Sequence, residues 1–252
     1  MFDRIVVGVD DTPESLEAAR QAAVLRVPEG ALHLLAVAET TKAAHAGFLA
    51  GAAAEQLLTD ARVALERATD AVEPTTSALL TGRPAPALLE RMRRHGATLL
   101  VLGCHERRRS PGLAFGAVGS VLLREAPCSV LVARRDSWPE GYPERIVVGV
   151  DGSPASVRAV EVARSVCDRF GSRLTLVVAL GGKLREATAV IRAYPDAVVE
   201  DRAPVDALVS ASRSADLVVV GSRGLHGLRA LGSVSERVAH RAHASVLVVR
   251  ER

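Results

Sequence analysis

Arg4-Ile5-Val6-Val7-Gly8-Val9-Asp10 returns unchanged as Arg145-Ile146-Val147-Val148-Gly149-Val150-Asp151, and each copy runs on into a hydroxyl-proline step, Thr12-Pro13 and Ser153-Pro154. The copies also close alike, on Ser129-Val130-Leu131-Val132 and Ser245-Val246-Leu247-Val248. A repeat framed at both ends is a duplicated domain. The units are 1–135 and 144–252, and in the connecting stretch 134–144 Trp138-Pro139 and Tyr142-Pro143 break regular structure.

Working outward from the repeated strand, short apolar runs recur at 5–9, 31–38, 75–80, 98–102 and 129–133, and again at 146–150, 174–180, 196–199, 217–220 and 246–249. Most are nearly continuous in Val, Leu and Ile, as strands covered on both faces must be. Between them lie helical patterns, clearest over 52–72, where Leu58, Ala61, Leu65, Ala68 and Val72 recur at spacings of three and four. Alternation of buried strand and amphipathic helix predicts right-handed βαβ crossovers. The fold class is therefore α/β: two tandem doubly wound domains, each a five-stranded parallel sheet flanked by helices. The second is abbreviated, with only a short helix over 184–193 where the first has its long one.

Composition narrows the function. With 252 residues and 48% of them hydrophobic, each half can bury its own core. Aromatic residues make up 3%, too few for base-stacking platforms, and 32 cationic residues are spread among 29 acidic ones, so no nucleic-acid partner is expected. Arg107-Arg108-Arg109 reads as a solvated basic loop. Cys104, Cys128 and Cys167 form no CxxC pair and suit reduced thiols. Asp3, Arg4, Asp10 and Asp11 crowd the N-terminus, and no apolar run reaches ~18 residues, so a cytoplasmic protein without a membrane partner is expected.

Ligands of an open parallel sheet bind beyond the carboxyl ends of its strands. Two places qualify. After the first strands come Asp10-Asp11-Thr12 and Asp151-Gly152-Ser153, which also read as turns capping the next helix. After the fourth come Gly103-Cys104-His105-Glu106 and the richer Gly221-Ser222-Arg223-Gly224-Leu225-His226-Gly227, with Gly232-Ser233-Val234-Ser235 opening a helix. Glycines admit a close phosphate and a helix start binds anions, although a flexible turn with a serine cap has the same pattern. Enzyme signatures are missing. The only lysines, Lys42 and Lys183, are not followed by Ser or Thr, which excludes a Walker site, and Cys104-His105 alone is too small a metal-ligand set. No metal ligands are assigned.

Taken together, the Val-Gly-Val-Asp strand end, the Ser-Pro step, Gly-x-x-Gly, Gly-Ser-Val-Ser-Glu-Arg-Val and the closing Ser-Val-Leu-Val-Val-Arg resemble the universal stress protein family nearly end to end, as a tandem member. The resemblance implies an adenine nucleotide alpha hydrolase-like fold and ATP at the switch point, with magnesium on the phosphates. Carried over, Asp151 accepts a hydrogen bond from the adenosine beside Gly149, Val150 and Ser153. Ala179 stands where the family usually has a valine against the base. Gly221, Gly224, Gly232 and Ser233 hold ribose and phosphates, flanked by Ser222, Val234 and Ser235, and Arg223 adds charge. Seven residues, 225–231, separate Gly224 from Gly232 where the family has nine.

The first repeat keeps the spacing, 107–115, but has Glu106 for the second glycine and Ala117 for the serine. A carboxylate facing polyphosphate is repulsive, so Asp10, Thr12, Val37, Gly103 and Gly116 form the weaker site. The expectation is a nucleotide-binding regulatory protein of the stress response, not an enzyme. Two alternatives stand beside it: a nucleotide-independent scaffold for protein partners, and slow ATP hydrolysis or phosphotransfer with Ser233 or Ser235 as acceptor. Unpaired, the closing strands would leave open sheet edges, and the resemblance implies that they pair within the chain as a pseudo-dimer, which a homodimer can extend.

Overall fold

The structure is a computed structural model, and it describes residues 2–43, 50–104, 116–134, 141–182, 184–222 and 233–250. Repeat one runs β1 (Phe2–Val9), α1 (Pro13–Leu25), β2 (Arg26–Ala38), α2 (Thr40–Ala43), α3 (Ala50–Val72), β3 (Thr76–Thr81), α4 (Pro84–His95), β4 (Leu99–Gly103), α5 (Ala117–Glu125) and β5 (Ser129–Ala133). Repeat two follows with β6 (Arg145–Gly149), α6 (Pro154–Phe170), β7 (Arg173–Ala179), α7 (Leu184–Ala193), β8 (Val198–Glu200), α8 (Pro204–Ala211), β9 (Leu217–Gly221), α9 (Ser233–Arg241) and β10 (Ser245–Val249).

Three strands depart from the expected bounds by two residues or more, the first being β1, which starts at Phe2 rather than 5. β2 starts at Arg26 rather than 31, because the chain pairs with β1 through an irregularity between Phe2 and Arg4. β8 starts at Val198 rather than 196, because Asp196 and Ala197 belong to the turn after α7, where the Ala197 amide donates to the Tyr194 carbonyl at 3.1 Å.

The strands form one ten-stranded sheet in the order β3-β2-β1-β4-β5-β10-β9-β6-β7-β8. All neighbours are parallel except β5 and β10, which are antiparallel. Leu131 pairs with Leu247, Val130 with Val248 and Val132 with Val246. Equivalent leucines of the two repeats therefore face each other, and a pseudo-twofold axis passes between them. The edges that each half would expose are spent on one another. Both faces of the sheet carry continuous cores that cross this seam: Val7, Val101 and Leu131 cluster with Val148 and Leu247 on one side, Val6 and Val130 with Val147 and Val246 on the other.

Paired arginines brace the seam. Arg134, just past β5, donates from Nη1 to the Ala244 carbonyl at 3.1 Å and from Nη2 to the Ala239 carbonyl at 2.6 Å. Arg250, just past β10, donates likewise to the carbonyls of Ala126, Leu123 and Arg124. Their backbone amides reach the opposite strand's serine, Arg134 to Ser245 Oγ at 3.0 Å and Arg250 to Ser129 Oγ at 3.2 Å. Each arginine thus satisfies the orphan carbonyls at the end of the other repeat's last helix, where a cation is also favoured by the dipole.

The connection between repeats is more than a break. Residues 135–140 lie outside the described ones, but both of its ends are built into the core. Tyr142 is buried and donates to Gln21 Oε1 at 3.0 Å, which also accepts from Ser245 Oγ at 2.9 Å. Burial pushes the Tyr142 phenol far above its ordinary pKa. Buried Asp216 then accepts from the amides of Glu144 and Arg145 at 3.0 and 2.7 Å and fixes the start of β6.

Candidate functional site

Strand β6 delivers Gly149, Val150 and Asp151 to the carboxyl edge of the sheet, and the chain must turn there into α6. Pro154 fits the first helical position, where no amide hydrogen is needed. Ser153 caps the helix, accepting from the Ser156 amide at 3.3 Å. Asp151 Oδ1 accepts from the Ser153 amide at 3.0 Å and from its hydroxyl at 2.5 Å. The capping role is therefore real, and it holds an exposed carboxylate at the end of the strand. Between them Gly152 sits at φ +78°, with space so tight that a Cβ would lie 2.8 Å from Val190 Cγ2.

Beyond the ends of β6, β7 and β9 opens a cleft of about 420 Å³, within the usual size of small-molecule sites. This is where the strand order reverses around β6, the position at which an open α/β sheet binds ligands. One wall is aliphatic: Val177 to Leu180 at the end of β7, Ala187 and Val190 of α7, and Pro204 and Leu208 of α8. The polar lining is Asp151, Ser153, Ser156 and Ser235, the last in the first turn of α9. Such a site offers apolar surface, a carboxylate acceptor, several hydroxyls and the positive end of a helix.

Of the residues expected from sequence, Gly149, Val150, Asp151, Ser153, Ala179, Gly221, Val234 and Ser235 line this cleft. Ser222 does not. It is buried behind the strand end, its amide donating to the Val249 carbonyl at 2.8 Å, so its part is to continue the sheet. Arg223, Gly224 and Gly232 lie outside the described residues, as does the Ser233 side chain, although the Ser233 backbone opens α9.

Gly221 lines the cleft and also carries a packing duty. A Cβ there would stand 2.4 Å from the Ala155 carbonyl carbon and 2.8 Å from the Ser156 nitrogen, so the backbone of α6 by itself demands glycine at this position. Gly103 has the same duty in repeat one, 2.6 Å from the Glu14 carbonyl.

The weaker repeat-one set repeats this local architecture. Asp10 Oδ1 accepts from the Thr12 hydroxyl, Thr12 caps α1, and Ser15 Oγ donates to the Asp10 carbonyl at 2.6 Å. Gly116 is the cap of α5 and makes no side-chain bond. Val37 lies in β2 opposite Leu80. Glu106 and Arg107 to Arg109 lie outside the described residues.

Sequence reasoning missed Ser156, Val177, Val190, Pro204 and Leu208, all lining residues. Ser156 was recoverable, since Ser15 stands at the same place after Asp10, and its hydroxyl ties the loop by donating to the Ser153 carbonyl at 2.9 Å. Cys104 and Cys128 are buried thiols, and burial raises the Cys167 thiol. Among the described residues no group of three or more His, Cys, Asp or Glu could hold a metal, and no helix is long and apolar enough to cross a membrane.

Comparison with known proteins gives a consistent picture. The sequence model of the universal stress protein family matches residues 1–134 and 178–250. A universal stress protein of Mycobacterium tuberculosis is 30% identical over 98% of this chain and 96% of its own length. The crystal structure of one from Archaeoglobus fulgidus, 20% identical, superposes with a TM-score of 0.73 over 98% of both chains. Another solved universal stress protein, in complex with cAMP, is 39% identical over 42% of this chain and 95% of its own, with a TM-score of 0.31.

Proposed function

The chain belongs to the universal stress protein family, and we propose that within it this protein is an adenine-nucleotide-binding regulator of the stress response whose working site is the cleft of repeat two. The observation that carries the reading is the pairing of two surfaces in that cleft. Its lining joins the aliphatic run from Val177 to Leu180 with the Asp151 carboxylate and with Val234 and Ser235 of the first turn of α9. A planar base suits the aliphatic run, Asp151 suits a ribose or base donor, and the helix start with Ser235 suits a phosphate.

The residues fit ATP in chemistry, and magnesium would arrive on the phosphates, since the described residues supply no cluster to hold it. What the nucleotide brings is its triphosphate charge. What this chain does is seat the base, orient the ribose through Asp151 and hold the phosphate end against α9.

The test is a calorimetric titration of nucleotide-stripped protein with Mg-ATP. One site per chain is expected. In Asp151→Ala the affinity falls roughly 10- to 100-fold, the value of a lost charge-assisted hydrogen bond, whereas Asp10→Ala leaves it unchanged. Equal effects of the two alanines would overturn the assignment to repeat two.

A scaffold that needs no nucleotide is the second reading, favoured by Val198 and Val199. These are 47% and 44% exposed on the edge strand β8, where unpaired strands attract partners. Absence of any binding to the wild type selects it. Steady phosphate release above the level of Asp151→Ala would select slow hydrolysis instead.

A further inference from the structure

We propose that Arg134, a residue of repeat one, is a positioning residue for the cleft of repeat two: it fixes α9, the helix whose first turn lines that cleft. The inference rests on the nucleotide reading above.

Arg134 is 6% exposed, and its guanidinium bridges the Ala239 carbonyl in the last turn of α9 and the Ala244 carbonyl just before β10. Ala239 lies one helical turn after Ser235 on the same face, about 6 Å along the axis. The fork therefore grips α9 a single turn from the ligand surface. It grips from a rigid base, because the Arg134 carbonyl accepts from Gln21 Nε2 at 3.1 Å and its amide donates to Ser245 Oγ at 3.0 Å. Arg124 of α5 adds a second tie from repeat one, reaching Glu236, the neighbour of Ser235, at 3.9 Å. Within repeat two α9 has a surface pair, Arg241 with Asp206 at 2.9 Å. A buried planar arginine fork that ties an orphan helix carbonyl to the chain entering β10 sets a helix position that an exposed pair does not.

The pseudo-twofold axis supplies a matched control. Arg250 makes the same kind of fork onto Leu123, Arg124 and Ala126 at the end of α5. That helix begins in repeat one, after Gly116. Losing Arg250 loosens a helix that reaches the repeat-two cleft only through the 3.9 Å Arg124–Glu236 pair, while losing Arg134 loosens one that lines it. Coupling is reciprocal, so a bound nucleotide also tightens the Arg134 fork.

The experiment compares Arg134→Gln with Arg250→Gln by Mg-ATP calorimetry and by amide hydrogen exchange of the nucleotide-free proteins. Arg134→Gln is expected to weaken Mg-ATP binding about tenfold and to speed exchange across 233–241. Arg250→Gln speeds exchange across 117–125 and leaves affinity within about twofold. Arg134→Lys restores part of the affinity, since an ammonium keeps the charge and reaches one carbonyl; it also carries the comparison if the glutamine variant does not fold. Equal affinity losses in the two glutamine variants, or unchanged α9 exchange in Arg134→Gln, overturn this proposal alone. A wild type that takes up no Mg-ATP overturns the cleft reading and this proposal with it.

Discussion

In repeat one the residue after the aspartate that closes the first strand is Asp11, and its carboxylate meets Arg67 of α3 at 3.0 Å. In repeat two the same place holds Gly152, and Val190 of α7 occupies the space a side chain would need. The difference shows where two copies of one topology are free to diverge. α3 has 23 residues and buries Ala64, Leu65, Ala68 and Val72 against the sheet, so it stands without its exposed ion pair. α7 has 10 residues, and its buried Ala187 and Val190 rest on Gly152 and on the cleft itself. The outer wall of the repeat-two site is thus short, apolar and seated on glycine, with Gly181 and Gly182 at φ +51° and +79° at its approach. The central strands beneath are alike, with 5 residues each in β4, β9, β5 and β10.

The largest effect tests what the repeats share. Gly221→Ala and Gly103→Ala each drive a methyl into helix backbone that cannot yield, and each is expected to cost about 3 kcal/mol or more in denaturant unfolding. A mild loss at either position breaks the equivalence.

Next comes Gly152→Asp, which writes the residue of repeat one into repeat two. Strain at φ +78° and the clash with Val190 should cost about 2 kcal/mol and shrink the cleft, lowering Mg-ATP affinity as well. Unchanged stability would show that α7 moves aside freely.

A pH effect separates the repeats more finely. His33 of β2 is buried, stacks on His95 with ring centroids 4.0 Å apart, and sits opposite Val6; Thr175 holds that register in repeat two, opposite Val147. Burial first, and then His95, pull its pKa below 6.5. The unfolded chain therefore binds the proton more readily, so stability is full above 6.5 and drains as pH falls through the lowered value. His33→Thr should flatten part of that acid-side loss between about pH 7 and 5. His240 in α9, also lowered chiefly by burial, acts in the same direction. An unaltered pH profile would remove His33 from the account.

The smallest effect is expected from Arg67→Ala. Both partners of the pair are more than half exposed, so the loss should stay within about 0.5 kcal/mol by chemical denaturation. A larger loss would make the ion pair, not the length of α3, the support of the repeat-one wall.

Strands and their repetition were readable because a fully buried strand must be written in consecutive Val, Leu and Ile, and Arg4 to Asp10 was written twice. The pseudo-dimer was readable from the twin closing strands. The loop side of the site was readable too, since Asp151 and Ser153 act through neighbours in sequence. The wall was not. Val190 and Leu208 look like any apolar residue of an amphipathic helix, and only the path of α7 and α8 across the sheet brings them to the cleft. Gly221 announced a close approach, and the structure adds one that local spacing does not show, the helix start after β6.

The seam at Leu131 and Leu247 has a consequence for inheritance. Where two identical chains meet about such an axis, every substitution is made twice, and a change harmful to one half is harmful to both. Here the partner is fused into the same polypeptide at fixed proximity and cannot be lost by dilution. Each half answers for its own substitutions, so one can keep Gly-Ser at its last helix while the other drifts to Gly-Ala. An axis that would enforce sameness between identical chains here shelters difference.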